Sequence, residues 1–595
     1  MSSYTQRTHY AGTLREEQIG QIITLNGWVN GRRDLGGLIF IDVRDYTGIA
    51  QVVFSPQVAP SLMDPASELR DEFVIAVTGE VCKRENPNDE LPTGQIEIYA
   101  TGLEILNRSE VPPFEIGDRT KSSEELRLKY RYLELRNPEL QRILRLRNQV
   151  YQIVHNYFEE EGFVEIETPT FVRATPEGAR DYIVPSRVHP GKFYALPQSP
   201  QIYKQILMLS GFDKYVQIAK CMRDEDLRAD RQPEFTQIDL EMSFVQQEDV
   251  LDVTERMLAR IWKEVKKADL ELPLRRMPYM EVMNRFGSDK PDTRFGMELQ
   301  DVSDLFGSTE FVLFQSVLAS NGSIVGLNFK GGASYSRKLI DELTDHVKRY
   351  GANGLVWLKV SGEGLEGGTA KFLLDNEING LLEYFETEEG DMLLLVADTW
   401  RRSRIALGAL RLEIARRERL IPKDVDDLLF IVDFPMFEEV DPETGKPIPA
   451  HHPFTSYRLE DEHLLDTDPM AVRSNSYDLV INGYELASGS IRIHQQDVQK
   501  KIFNLIGLTE KEAQEKFGFL LNAFRYGAPP HGGIAPGLDR LVMILAGNDN
   551  IRDVIAFPKT TRAASLMDNT PSEVDPEQLM ELGIALLATE ETGEN

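Results

Sequence analysis

Between Tyr215 and Phe244 the chain reads YVQIAKCMRDEDLRADRQPEFTQIDLEMSF: two apolar-alternating runs flank a charged segment that carries Arg223, Arg228 and Arg231 and no glycine. Strand side chains alternate, so Ile238, Leu240, Met242 and Phe244 share one face and Phe235, Gln237, Asp239 and Glu241 the other. A half-buried strand ordinarily turns its polar face to water. Here amide and carboxylate groups stand in a row beside an arginine-dense loop, which suits the floor of a cleft for an anionic ligand. The alternative is a solvated hairpin with a charged tip. A second constellation lies in YDLVINGYELASGS, where Asn482-Gly483 is a strong two-residue hairpin signal. Pairing 481 with 484, 480 with 485 and 478 with 487 places Asp478 and Glu485 diagonally on one face, within reach of a shared cation. A surface acidic pair is the alternative. The third is GGIAPGLDRLVMILAG, in which Leu538, Leu541, Val542 and Leu545 have helical spacing. Arg540 then falls in the first helical turn, a place that favours an anion. No GxxxxGK[ST] phosphate loop is present, so a bound nucleotide would need arginines acting as bidentate phosphate ligands.

RDEDLRADRQPEFTQ resembles motif 2 of the class II aminoacyl-tRNA synthetases, in the form carried by the bacterial-type aspartyl family, and GLDRLVMILAG resembles motif 3. The resemblance covers nearly the whole chain. It implies activation of aspartate by ATP, in which the substrate carboxylate attacks the α-phosphorus in line and the protein positions groups and neutralises charge. Arg223, Glu485 and Arg540 would be the catalytic residues. Arg223, Asp224, Glu225, Gln232, Phe235, Glu485, Gly537, Leu538, Asp539 and Arg540 would bind ATP, with Phe235 stacking on the base. The segments TPEGARDY and ALPQSPQIYKQ would supply Glu177, Ser199, Gln201 and Lys204 to the amino acid, joined by Arg223, Asp239, Arg492 and the His451-His452 pair. Asp239 would take the substrate ammonium, and Arg492 and Lys204 its side-chain carboxylate. Oxygen ligands beside a polyphosphate imply Mg²⁺ at Asp478 and Glu485. Strict alternation sets Arg492 on the face opposite Glu485, so a bulge near Gly489 is expected.

These residues need elements to hold them, and the expected class is α+β and multidomain. Residues 1–108 contain five short strands separated by glycine and Asp/Asn turns, the pattern of an oligonucleotide-binding barrel. By resemblance it reads a tRNA anticodon through Arg33, Phe40, Gln51, Arg84, Asn88 and Glu97, although Phe40 also suits plain barrel core. Gly31-Arg32-Arg33 has two arginines where the family often has three. Residues 109–138 form a connector whose basic helical part could touch tRNA. From Glu139, ELQRILRLRNQVYQIVHNYFEEEG has amphipathic-helix spacing closed by Gly162, and FVEIETP follows as a strand. Together they resemble motif 1, which implies a homodimer. The catalytic domain, built on an antiparallel sheet, would occupy 139–286 and 425–555, interrupted by a GAD-type α/β insertion at 287–424, with a C-terminal extension at 556–595. Gly362, Gly364 and Gly367 satisfy GxGxxG after an apolar strand, but two glutamates inside the loop speak against a pyrophosphate there.

The chain has 595 residues, enough for about four domains. Its net charge of −30 argues against nonspecific nucleic-acid binding and leaves room for a local basic groove. No apolar run reaches about 18 residues, the N-terminus lacks a signal-peptide core and only two cysteines occur, so a cytoplasmic protein without a membrane span is expected. The partners implied are ATP, L-aspartate and tRNA(Asp), with tRNA(Asn) added in a relaxed enzyme. Leu35 stands where relaxed members often carry histidine, which leans to the strict form. The rivals are a sister enzyme charging asparagine or lysine, a tRNA-free ligase, and a catalytically inactive tRNA-binding paralogue.

Overall fold

The computed structural model describes residues 4–174, 179–225 and 231–587. These divide into two compact units, one drawn from 1–149, 227–232 and 546–574, the other from 150–226, 233–545 and 575–595.

In the first unit the strands Ile22–Leu35, Leu38–Asp45, Gly48–Phe54, Val74–Lys83 and Ile96–Asn107 close into a barrel, with the fifth strand lying between the third and the fourth. These are the five runs read from the sequence. Their inward residues, among them Leu25, Val29, Ile41, Val43, Val52, Ile75 and Ile98, fill the core, as alternation along each strand requires. Phe40 is half-buried and lies outside that core. The connector forms the helices Glu124–Lys129 and Arg131–Glu134. Its basic groups differ from expectation. Glu134 is 2% exposed and accepts from Arg119 Nε at 3.1 Å, Arg127 Nε at 2.9 Å and Arg131 Nη1 at 2.6 Å. Arg131 also donates to the carbonyls of Arg552, Ile555 and Ala556, and Arg119 to Asp553. These three arginines neutralise a buried carboxylate, and Arg119 and Arg131 also tie down the 552–556 segment, whereas Lys129 of the same connector is exposed.

The amphipathic pattern from Glu139 forms the helix Pro138–Glu160, and Gly162 beyond it has φ 77°. The strand that follows is only Val164–Glu165. It stops short of the expected Pro169 because the Thr168 amide donates to the Gln217 side chain at 3.2 Å instead of to a neighbouring strand.

In the second unit eight strands form one sheet, in the order Arg275–Pro278, Leu428–Val432, Ser476–Ile481, Tyr484–Ile491, His531–Pro536, Glu234–Ser243, Lys214–Met222 and Val164–Glu165. Every neighbouring pair is antiparallel except the outermost pair at each edge. Between Gln300 and Asp398 a separate five-stranded sheet forms, with helices around it. There the GxGxxG glycines belong to a hairpin, with Ser361 opposite Gly364, not to the strand-to-helix turn that a dinucleotide site requires. Among the described residues no helix is long and apolar enough to cross a membrane.

Candidate active site

The strands Lys214–Met222 and Glu234–Ser243 pair with Phe235 opposite Cys221, Asp239 opposite Gln217 and Glu241 opposite Tyr215. The polar face does not meet bulk water: Asp239 and Glu241 are both fully buried. The strand His531–Pro536 makes this possible on the other side, where Gly533 lies opposite Glu241. A Cβ at Gly533 would sit 2.2 Å from Glu241 Oε2 and 2.1 Å from the Leu240 carbonyl oxygen. The absence of a side chain at Gly533 is thus the space in which a carboxylate is housed.

Two cations answer the two buried acids. Lys204, on the helix Gln201–Leu209, places Nζ 2.7 Å from Asp239 Oδ1 and 3.4 Å from Glu241 Oε2. Arg492 grips Glu241 bidentately, Nε to Oε1 at 2.9 Å and Nη2 to Oε2 at 3.0 Å. Burial pushes the Asp239 pKa up, and Lys204 offsets only part of the rise. Burial acts the same way on Glu241, but Arg492 and Lys204 outweigh it and hold that carboxyl below its ordinary value. Asp239 Oδ2 and Gln201 Nε2 are buried and make no hydrogen bond among the described residues. An unused carboxylate oxygen and an unused amide donor beside a balanced ion cluster suit a small zwitterion, since leaving them unmet costs free energy.

The histidine pair borders this cluster. His451 Nε2 lies 2.8 Å from Ser476 Oγ, with its ring edge-on to Phe434, and burial lowers its pKa to about 4. His452 faces two donors, Arg492 Nη1 at 2.6 Å from Nε2 and the Phe454 amide at 3.2 Å from Nδ1. Burial, then the charge of Arg492, holds it well below the usual imidazole range. A neutral imidazole has one acceptor nitrogen, so His452 can satisfy only one of these donors at a time.

The Asn482-Gly483 hairpin forms with both turn residues at positive φ, 54° and 82°, the geometry of a type I′ turn. Val480 pairs with Glu485 as expected, but Asp478 pairs with Ser488, not with residue 487. The extra residue is Leu486, so the bulge lies there and not at Gly489. Its carbonyl accepts the Gly537 amide at 2.8 Å, and the one-residue offset turns Ser488, Ser490 and Arg492 onto the face of Asp478 and Glu485. Gly489 is small for another reason. A Cβ there would lie 2.4 Å from the Gly533 carbonyl oxygen and 2.6 Å from the Tyr477 ring. Asp478 is buried with Oδ1 unbonded among the described residues, and burial followed by the charge of Glu485 raises its pKa well above the carboxylate range. An acid so unwilling to ionise alone, paired with a second carboxylate, suits a hard cation.

Arg540 lies in the first turn of the helix Leu538–Ala546 and donates through Nη1 to the Glu485 carbonyl, while Asp539 Oδ2 accepts the Thr236 amide at 2.7 Å. The Arg223 amide donates to the Pro233 carbonyl at 2.9 Å. Its guanidinium stands 5.1 Å from the centre of the Phe235 ring, so the aromatic expected to stack on a base already carries a cation on one face. Asp224 is tied through its amide to the Arg180 carbonyl, and Ser199 Oγ accepts the Gln201 amide. Both amide atoms of Gln232 are engaged by the main chain of Lys559, at 2.8 and 3.0 Å. Glu225 is described; Glu177 lies outside the described residues.

On the barrel, Arg33 Nη2 lies 3.0 Å from Asp42 Oδ1 and 3.1 Å from Gln51 Oε1, and Gln51 donates to Glu97 Oε2 at 2.8 Å. Phe40 is opposite Arg33 in register. Arg84 bonds Gln95 through its main chain, and Asn88 Oδ1 accepts the Glu90 amide. Sequence reasoning passed over Glu241 as a site residue although it stood in the polar row, and it passed over Asp42, which the register of a hairpin with Arg33 could have found.

A family model described as tRNA synthetases class II (D, K and N) matches residues 123–561, and one for an OB-fold nucleic acid binding domain matches 23–106. An aspartate–tRNA(Asp/Asn) ligase of Caldanaerobacter subterraneus subsp. tengcongensis is 54% identical over 583 residues, 98% of each chain. An aspartate–tRNA ligase of Bacillus licheniformis is 53% identical over 586 residues, again 98% of each. Among solved structures, an asparaginyl-tRNA synthetase of Pyrococcus horikoshii with asparaginyl-adenylate covers 96% of this chain and 99% of its own, with a TM-score of 0.58 at 21% identity. An aspartyl tRNA synthetase of Entamoeba histolytica gives 0.56 at 18%, covering 91% and 89%. At these identities the structures speak for the fold.

Proposed function

The chain belongs to the class II tRNA synthetases of the D, K and N group, and from that premise we propose that it joins L-aspartate to tRNA(Asp) with ATP. The observation that carries the reading is the buried quartet Lys204, Asp239, Glu241 and Arg492, with Asp239 Oδ2 left unbonded. In this reading Asp239 takes the substrate ammonium. Lys204, held by Asp239 and Glu241, presents its remaining N–H to the side-chain carboxylate, and Arg492, held by Glu241, turns to it an Nη1 hydrogen that otherwise rests on His452 Nε2 or Ser490 Oγ. The α-carboxylate then attacks the α-phosphorus, pyrophosphate leaves, and aspartyl-adenylate forms. A 3′-terminal ribose hydroxyl of tRNA next takes the aspartyl group and AMP leaves. Arg223 offsets charge at the α-phosphate and Arg540 at the terminal phosphate. Asp478 and Glu485 would hold Mg²⁺, which when bound neutralises phosphate charge; the unbonded Asp478 Oδ1 fits that role.

The barrel face around Arg33, Phe40, Gln51 and Glu97 would read the anticodon. A homodimer through the motif 1 segment fits Val164, which stands 47% exposed. We keep the sixfold division read from the sequence, and a cytoplasmic setting fits the substrates. A second reading, in which tRNA(Asn) is also charged, is favoured by the Asp/Asn scope in the names of relatives such as that of Caldanaerobacter; Leu35 favours the narrower one. Aminoacylation of both tRNA transcripts with labelled aspartate decides between them. Charging of tRNA(Asp) alone supports the strict enzyme, and charging of both the relaxed one. Charging of neither, without aspartate-dependent pyrophosphate exchange, would leave the inactive paralogue.

A further inference from the structure

The segment that opens the insertion is built into the hairpin carrying the acidic pair. Arg411, 1% exposed, donates to the carbonyls of Asp292 at 2.9 Å, Phe295 at 2.8 Å, Gly296 at 3.0 Å and Met297 at 3.0 Å. Its guanidinium lies 3.9 Å from the centre of the Phe295 ring. Asp292 is 3% exposed and takes Arg294 through Nε at 2.9 Å and Nη2 at 2.7 Å. Thr293 donates to Asp427, which Arg275 also grips, and the Asp427 amide donates to Asn482 Oδ1 at 2.8 Å. On the turn itself, a Cβ at Gly483 would come within 3.0 Å of Asp292 Cβ. One arginine holding four carbonyls, and a turn glycine pressed on the strap, leave residues 292–297 little freedom.

Two residues before this strap lies Lys290, whose amide is capped by Ser288 Oγ at 3.1 Å and whose Nζ stands 3.6 Å from Asp289 Oδ1 and 3.9 Å from Glu485 Oε2. Glu485 is therefore bracketed by cations, Arg540 on its carbonyl and Lys290 beside its carboxylate. The Lys290 side chain is 49% exposed, so the ion pair with Glu485 is worth little to folding, and the elaborate anchoring of its strap calls for another reason.

We propose that Lys290 is a further nucleotide ligand, which releases Glu485 when ATP enters and contacts the β- and γ-phosphates opposite Arg540. This rests on the ATP-dependent reading above. The insertion would then do more than interrupt the catalytic sequence: its first residues complete the site. Lysine acts here as a mobile point charge, which suits a group that must change partners.

The test is equilibrium binding of a non-hydrolysable ATP analogue and of AMP, with Mg²⁺, to the full-length wild type, Lys290→Met and Lys290→Arg. The expected result is that Lys290→Met weakens the triphosphate roughly tenfold, leaves AMP unchanged, and that Lys290→Arg restores most of the loss. Equal weakening of both nucleotides, or of neither, in a wild type that prefers the triphosphate overturns the role of Lys290 and leaves the function standing. A wild type that binds no triphosphate overturns both.

Discussion

Arg492 and Glu241, 251 positions apart in the chain, meet as a bidentate pair at 2.9 and 3.0 Å with both side chains buried. The pair joins the ends of the two segments that the site most depends on. Removing one partner leaves a buried charge unmet, which costs far more than the pair itself contributes.

Glu241→Gln should therefore destabilise the protein by about 3–5 kcal/mol, read as a lowered denaturant midpoint at pH 7. Its folded pKa is held below the unfolded value of about 4.3. The stability it gives is thus complete above that value and lost as pH falls through the lowered one. The difference between wild type and Glu241→Gln should shrink below pH 4; a midpoint that does not move at pH 7 would contradict the assignment.

Asp239→Asn removes the acceptor that carries the function. The KM for aspartate in pyrophosphate exchange should rise at least roughly tenfold, with the KM for ATP little changed. If both constants move together, Asp239 acts on the whole site and not on the amino acid.

His451 should titrate near 4, well below an exposed imidazole. Because the unfolded chain binds this proton near about 6.5 and the folded one does not, stability should rise with pH between these values and level off above. Histidine ring signals followed by NMR test the first point, and His451→Asn, which should flatten the rise, tests the second. A ring titrating near 6.5 would refute both.

Gly489→Ala would drive a methyl group into the Gly533 carbonyl and the Tyr477 ring. The expected cost is about 3 kcal/mol, the upper end of overpacking, with Arg492 displaced and aspartate binding lost. An alanine variant of wild-type stability would show that the strands separate easily.

Much of this was legible in the sequence because it rests on periodicity. The row ending in Asp239 and Glu241, the Asn482-Gly483 turn, the first-turn position of Arg540 and the five barrel strands all follow from spacing. What escaped depended on partners distant in the chain. A bulge was required by the faces of Glu485 and Arg492, but the sequence marks Gly489, whose smallness serves Gly533 and Tyr477, and gives no sign of Leu486, whose carbonyl is claimed by Gly537. Likewise the helical, basic pattern around Arg127 and Arg131 carries no sign that Glu134 holds both and that the 552–556 carbonyls hold Arg131.

The central claim is that the buried quartet selects aspartate. The most direct measurement is pyrophosphate exchange with ATP, supplied with aspartate or with asparagine at equal concentration. Lys204 and Arg492 should support exchange with aspartate and give at least about a hundredfold less with asparagine, which lacks the carboxylate they would hold. Equal exchange with both amino acids, or a preference for asparagine, would contradict the account.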